Sequence, residues 1–254
     1  MRRPSFPLAR SIALLLAMSS AAVGETDMTK LNDAERAAFR DEVRSYLLTN
    51  PEVLMEAIGV LEQQQAEAQS ADDVTLVQVN AAAIFDDPTS FVGGNPAGDI
   101  TVVEFADYNC GYCKKAHPEV SQLLETDGNI RFIVKEFPIL GETSVLASRF
   151  ALAVREVAGD DTYERVHDAL MEGRGKITDA RLDKMARNMG LDVSAVRAQM
   201  NSDKINTILT ENHALAQRLQ ISGTPTFVIG DQLLRGYAPL DAMREIVADA
   251  RADG

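Results

Sequence analysis

The 254-residue sequence contains only two cysteines, and that scarcity is informative. Two thiols are too few for a disulfide-stapled scaffold or a four-sulfur zinc site. Basic residues are also short, with 25 Lys and Arg against 38 Asp and Glu, for a net charge of -13. No basic face large enough to follow a phosphate backbone is expected, which excludes nucleic acid as a partner. Long hydrophobic runs are missing too. The apolar stretch from Ile12 to Met18 falls far below the roughly 20 residues that a membrane-spanning helix needs. The composition, 46% apolar and 25% charged, is that of an ordinary globular chain and excludes collagen-like, low-complexity and wholly disordered classes.

What the first segment does contain reads as an address. Arg2, Arg3 and Arg10 precede the apolar run, and the small residues Ser19 to Gly24 follow it, in the order of a cleavable secretory signal over residues 1–24. An uncleaved anchor is the weaker alternative, and the lack of a cysteine here excludes lipidation. Cleavage near Gly24 leaves about -16 on the mature chain. Export would place the two cysteines where disulfides form and persist.

The mature chain then falls into an N-terminal helical segment with its linker over 25–80 and a compact unit over 81–254. From Leu31 to Gln69 the apolar residues Phe39, Val43, Tyr46, Leu47, Leu54, Ile58 and Leu61 recur at many three- and four-residue spacings, which predicts two helices. Asn50 is placed as the N-cap of the second and Pro51 at its first position. The seam of Leu54, Ile58 and Leu61 is too small for a core of its own, so it needs a cover: its own catalytic domain or the same seam of another subunit. Residues 71–99 read as a connector, with turn signals at Asp86-Asp87-Pro88 and Gly93-Gly94-Asn95-Pro96.

Beyond it the pattern predicts a buried strand over Ile100 to Ala106, a helix through Leu124, and a strand over Ile130 to Phe137. Helices fill 141–219, with Asp160, Thr178 and Asp192 as N-caps. A hairpin follows, Thr226 to Ile229 and Gln232 to Arg235 around Gly230-Asp231, and a last helix begins at Leu240.

The chemistry lies in Cys110-Gly111-Tyr112-Cys113. A cysteine reacts as thiolate, and the unpaired N-H groups and dipole at a helix start stabilise one there. Cys110 occupies that start, so it is the nucleophile and must be open to solvent. Cys113 lies one turn on, on the same face, and can resolve a mixed disulfide formed at Cys110. A structural disulfide explains the pair poorly, because a four-residue loop adds little entropic stabilisation. Zinc or copper(I) would need further soft ligands; no other Cys exists, and His117, His167 and His213 are scattered.

Val103-Glu104-Phe105-Ala106-Asp107-Tyr108-Asn109-Cys110-Gly111-Tyr112-Cys113-Lys114, Pro118 and Gly223-Thr224-Pro225-Thr226-Phe227 together resemble the thioredoxin superfamily. The helical insertion and leader resemble, within it, the DsbA family of periplasmic thiol-disulfide oxidoreductases. The resemblance implies an α/β thioredoxin fold with a large helical insertion, a cis Pro225 facing the cysteines, and a substrate chain pairing beside Thr224 and Pro225. It further implies a helix kinked at Pro118 and a buried acid at Glu104 that moves the Cys113 proton; a carboxylate on the rim is the competing view for Glu104. Gly111 and Tyr112 would touch substrate and tune the redox couple.

Gly-Tyr between the cysteines and Thr before the proline are similar to the disulfide isomerase DsbC. Residues 46–54 resemble the helical N-terminal region of suppressor-of-copper-sensitivity protein C (ScsC), which joins three subunits. The expectation is therefore a periplasmic, oligomeric isomerase or reductase acting on protein disulfides, with no cofactor and no metal, served by a membrane redox partner. A monomeric DsbA-like oxidase and a copper(I)-binding protein are the alternatives.

Overall fold

A computed structural model describes residue 29 and residues 31–253; the leader expected over 1–24 lies outside them. The chain forms two compact units that meet at residues 60 and 61.

In the first unit, helix α1 (Asp33–Thr49) opens on a capping box. The Asn32 side chain accepts from the Glu35 N-H at 3.0 Å, and the Glu35 carboxylate accepts from the Asn32 N-H at 2.8 Å. Helix α2 (Pro51–Val79) begins in this unit with proline at a position whose N-H would have no helical partner. Asn50 does not give α2 its side chain. Its amide donates to the Tyr46 carbonyl at 2.9 Å and closes α1 instead, while its backbone carbonyl accepts from the Val53 N-H. No residue of α1 is buried, and Phe39, Tyr46, Leu54 and Ile58 are all about half exposed.

The second unit corrects the connector expected over 71–99. Helix α2 runs on to Val79 with Val77 buried, helix α3 covers Ala81–Phe85, and strand β1 covers Phe91–Gly94. Glycines disguised the strand. Gly94 has φ +63, and a Cβ on it would lie 2.6 Å from the Ile130 carbonyl oxygen, so Gly is required where the strand edge meets its neighbour. The turn comes later, closed by the Gly98 N-H donating to the Asn95 carbonyl at 2.8 Å.

Then follow β2 (Ile100–Ala106), α4 (Gly111–Asp127), β3 (Ile130–Glu136), α5 (Glu142–Ala158), α6 (Asp160–Glu172), α7 (Asp179–Asn188) and α8 (Val193–Gln199). The chain ends with α9 (Asp203–Arg218), β4 (Thr226–Ile229), β5 (Gln232–Arg235) and α10 (Leu240–Asp253). The strands form one sheet in the order β1-β3-β2-β4-β5; only β2 and β3 are parallel.

Because helices cover both faces, the central strands β2 and β3 are buried almost end to end, with Glu104, Lys135 and Glu136 as the buried charged residues in an otherwise mostly apolar pattern. Val102, Ala106, Val134 and Phe227 face a core shared with α4, α5, α6 and α10. Val103, Phe105, Ile133 and Val228 face a second core with Ile84, Leu215 and Leu219. On that second face Lys135 is wholly buried, and its Nζ donates to the Ala83 carbonyl at 2.8 Å and to Asp87 Oδ2 at 2.7 Å.

Thr178 and Asp192 cap α7 and α8 through their side chains. Asp160 does not cap α6: it is the first helical residue, after Gly159 at φ +81, and its carboxylate accepts from Arg155 at 2.6 Å. Pro118 sits inside α4.

Candidate active site

Strand β2 delivers the chain to the head of α4 through Asp107-Tyr108-Asn109. The buried Asp107 carboxylate organises this crossing by accepting three backbone N-H groups, from Asn109 at 2.8 Å, Ile139 at 2.9 Å and Leu140 at 3.0 Å. The Asn109 side chain donates to Thr143 Oγ1 at 2.8 Å and Ser144 Oγ at 3.0 Å, which ties the same loop to α5. Sequence reasoning did not single out Asp107, although a turn of Asp-X-Asn after a strand was its only signal.

Cys110 is the N-cap of α4, with extended φ/ψ and its carbonyl already accepting from the Lys114 N-H. Both cysteines are free. The open nucleophile expected from the sequence is corrected: Cys110 is buried, with 7% of its surface exposed under the cis-proline loop, while Cys113 has none, so what access there is belongs to Cys110. The Thr224-Pro225 bond is cis. It presents the Thr224 carbonyl to the site, where it accepts from the Cys110 thiol at 3.0 Å.

Ionisation at Cys110 exchanges that donated bond for several accepted ones. The Cys113 thiol is the largest contributor, ahead of the Thr224 hydroxyl, which has no other partner, and the N-H groups of Cys113 and Tyr112. Against opposing burial, these bring Cys110 from 9.0 down to about 5. Cys113 moves the other way, far above the usual thiol range, because its proton serves Cys110 and because it is buried near Glu104. One ionised and one protonated sulfur is the arrangement thiol-disulfide exchange uses.

Glu104 is buried, 2% exposed, rather than on the rim. Burial, the charge of Cys110 and that of Glu136 raise its carboxyl from 4.5 to about 8. Tyr112 is 62% exposed, its ring 6.3 Å from that of Tyr237, and a Cβ on Gly111 would meet nothing within 4 Å. The structure thus brings Cys110, Cys113 and Thr224-Pro225 together, sets Glu104 beneath them, and leaves Gly111 and Tyr112 on the outside.

One residue without a signal in the sequence lies deeper. Glu136 is buried and accepts from the hydroxyls of Tyr108 at 2.6 Å and Tyr163 at 2.7 Å. Charges at the end of a predicted strand give no sign of burial. The histidines are not all scattered: His117 and His167 stack edge to face at 5.4 Å, and burial keeps His167 neutral down to about pH 3. Among the described residues no group of three or more His, Cys, Asp or Glu could hold a metal ion. None of the described helices is long and apolar enough to cross a membrane.

A cysteine pair at a helix head, an adjacent cis proline and an inserted helical layer define a thioredoxin-fold dithiol oxidoreductase domain. The chain belongs to the DSBA-like thioredoxin domain family, which residues 101–248 match. Residues 35–68 match the copper resistance protein ScsC N-terminal domain.

A thioredoxin-like oxidoreductase from Silicibacter pomeroyi is 41% identical with TM-score 0.64, covering 67% of this chain and 97% of its own. ScsC from Proteus mirabilis is 29% identical with TM-score 0.64, covering 89% and 99%. A curated Na(+)/H(+) antiporter from Salinispora arenicola is 29% identical over 63% of this chain, but the match spans only 24% of the antiporter's length.

Proposed function

We propose that the protein is an exported thiol-disulfide interchange enzyme acting on protein disulfides as isomerase or reductase. The observation that carries this is the unequal placement of the sulfurs, with Cys110 at the head of α4 against the Thr224 carbonyl and holding the exposed surface of the pair, and Cys113 fully enclosed; it favours the thiolate at Cys110 and the thiol at Cys113. The Cys110 thiolate attacks a substrate disulfide, forming a mixed disulfide and releasing one substrate thiolate. A second substrate thiolate can then attack the substrate sulfur, which restores Cys110 and leaves a rearranged substrate. Alternatively Cys113 passes its proton to the Glu104 carboxylate and attacks the Cys110 sulfur. The substrate leaves reduced and the protein oxidised. The chain backbone beside Thr224 and Pro225, with Tyr112 at the rim, receives the substrate segment.

Residues 31–69 join copies of the chain. Support comes from α1, which buries nothing, and from the exposed row Phe39, Tyr46, Leu54 and Ile58, a stripe too apolar to stay uncovered. Linked sites would hold a misfolded chain while one of them attacks it. The signal-like segment and the periplasmic resemblance support action in the periplasm, with a membrane partner resetting the cysteines.

The test is refolding of a substrate with scrambled disulfides, alongside oxidation of its fully reduced form, for the whole protein and for a variant lacking residues 31–60. Faster unscrambling by the whole protein, a multimeric mass, and loss of both on deletion are expected. A monomeric mass with oxidation alone would support the second reading, an oxidase. The depressed Cys110 favours that reading, because stabilising the thiolate stabilises the reduced protein and makes its disulfide a stronger oxidant.

A further inference from the structure

Four buried side-chain atoms among the described residues have no hydrogen-bond partner: Glu104 Oε1, Glu136 Oε2, Ser148 Oγ and Thr224 Oγ1. Two of them belong to carboxyl groups on neighbouring strands. In the parallel ladder Glu104 stands opposite Val134 and Ala106 opposite Glu136, so both acids point to the same face and sit diagonally, one pleat apart. Diagonal neighbours are roughly 7–8 Å apart at the backbone, within reach of two side chains this long.

The surroundings of the two acids differ. Glu136 is held from several elements: Tyr108 follows β2, Tyr163 lies on α6, Ser148 faces it from α5, and Asp107 adds a like charge. The Tyr108 hydroxyl has one proton and donates it to Glu136, so the 3.0 Å contact to His167 Nδ1 makes that nitrogen the donor and fixes the neutral Nδ1-H tautomer. Around Glu104 stand Cys110, Cys113 and Glu136 itself, with no cation among the groups that act on it.

From this geometry we infer that Glu136 is a positioning residue for the resolving step: Glu104 and Glu136 act as one buried acid pair that carries at most one negative charge at neutral pH. The inference rests on the reading of Glu104 as acceptor of the Cys113 proton, and adds what governs that acceptor. Two neighbouring carboxyl groups buried in the protein core cannot both be ionised without a large penalty, so the protons leave in two steps that belong to the pair. Ser148, Tyr108 and Tyr163 decide where the first charge resides, because all three support the Glu136 carboxylate and none of them supports Glu104. Glu104 ionises second, against the Glu136 charge. When Cys110 is tied up as a mixed disulfide its charge vanishes, one of the two charges opposing Glu104 is gone, and the base becomes available at the step that needs it.

The test is the unimolecular release of glutathione from the mixed disulfide formed when the reduced protein meets excess glutathione disulfide. In that reaction Cys110 takes one glutathionyl group and frees a glutathione thiolate. Cys113 then displaces the second as it loses its proton. The pH midpoint of the second rate reports the ionisation of Glu104. Glu136→Gln keeps an acceptor for Tyr108 and Tyr163 but removes the charge, and should lower the midpoint by about half a pH unit or more. Tyr163→Phe removes one donor, leaves Glu136 more often protonated, and should move the midpoint the same way by less.

A purely structural clamp would change the melting temperature and leave the midpoint in place. Midpoints unchanged in Tyr163→Phe and in a folded Glu136→Gln would overturn the inference; if Glu136→Gln does not fold, Tyr163→Phe decides. Glu104→Gln separates the layers. If its profile matches that of the unaltered protein, the reading of Glu104 as base fails; if it loses the midpoint while the Glu136 and Tyr163 variants do not shift theirs, only the pairing fails.

Discussion

Replacing Glu104 by Gln should stabilise the reduced protein, and by an amount that depends on pH. In the unfolded chain the Glu104 carboxyl ionises near 4.5, whereas in the folded protein burial, Cys110 and Glu136 hold its proton to about 8. Its folded value is raised, so its contribution to stability is complete below the unfolded value and disappears as pH climbs through the folded one. At about 1.4 kcal/mol per pH unit the full loss is roughly 5 kcal/mol above pH 8.

Gln has nearly the same volume and no such loss. Cys110 has the opposite slope between about 5 and 9.0, because its folded value is depressed; both proteins share that slope, and removing the Glu104 charge eases Cys110 ionisation, which acts in the same direction and widens the gap. Guanidinium unfolding of the two reduced proteins at one concentration, from pH 5 to 9, should show a gap near zero at the acid end that widens steadily towards pH 8. A gap that stays flat would mean that Glu104 is already ionised in the folded protein at neutral pH, and the desolvation argument would be wrong.

Four further outcomes can be checked. Iodoacetamide should label Cys110 with a midpoint near pH 5 and leave Cys113 untouched in the folded reduced protein. Cys113→Ala should raise that midpoint, because the Cys113 thiol is the largest support of the thiolate, and mass spectrometry of the labelled peptide reads both. Lys135→Met should lose about 3 kcal/mol in denaturant unfolding, since it strands the Asp87 carboxylate beside a buried site; adding Asp87→Asn should recover most of it, and additive losses would refute the pairing. Gly98→Ala should cost about 1–3 kcal/mol by thermal melting, because its Cβ would collide with the Asn129 carbonyl oxygen and the Arg131 backbone nitrogen, and an unchanged melting temperature would refute that steric reading.

The thioredoxin elements were readable because each carries a local signal strong enough to survive its surroundings. Ile100–Ala106 and Thr226–Ile229 are apolar runs bounded by turn residues, and the Gly230-Asp231 hairpin follows from its own turn chemistry. The active-site pair was legible for the same reason, since a sulfur nucleophile and the helix that activates it are adjacent in the chain. What escaped was non-local. Strand β1 exists because β3 offers an edge, and its two glycines look like a turn until the Ile130 carbonyl is seen pressed against one of them. Glu136 and Lys135 are consecutive charges that enter opposite cores, and each is tolerated by partners 27 to 52 residues away. Asn50 was placed correctly at a helix boundary but on the wrong side of it, because a carbonyl one turn back competes for the same amide.

The open space over Gly111 and the outward-facing Tyr112 bear on how the redox couple is set. The dipeptide between the sulfurs lies on the outside of the site, where a side chain at position 111 would meet nothing and the Tyr112 ring is largely exposed. Substituents there can be exchanged without repacking anything beneath, so the electron affinity of the pair can be retuned while folding is left undisturbed.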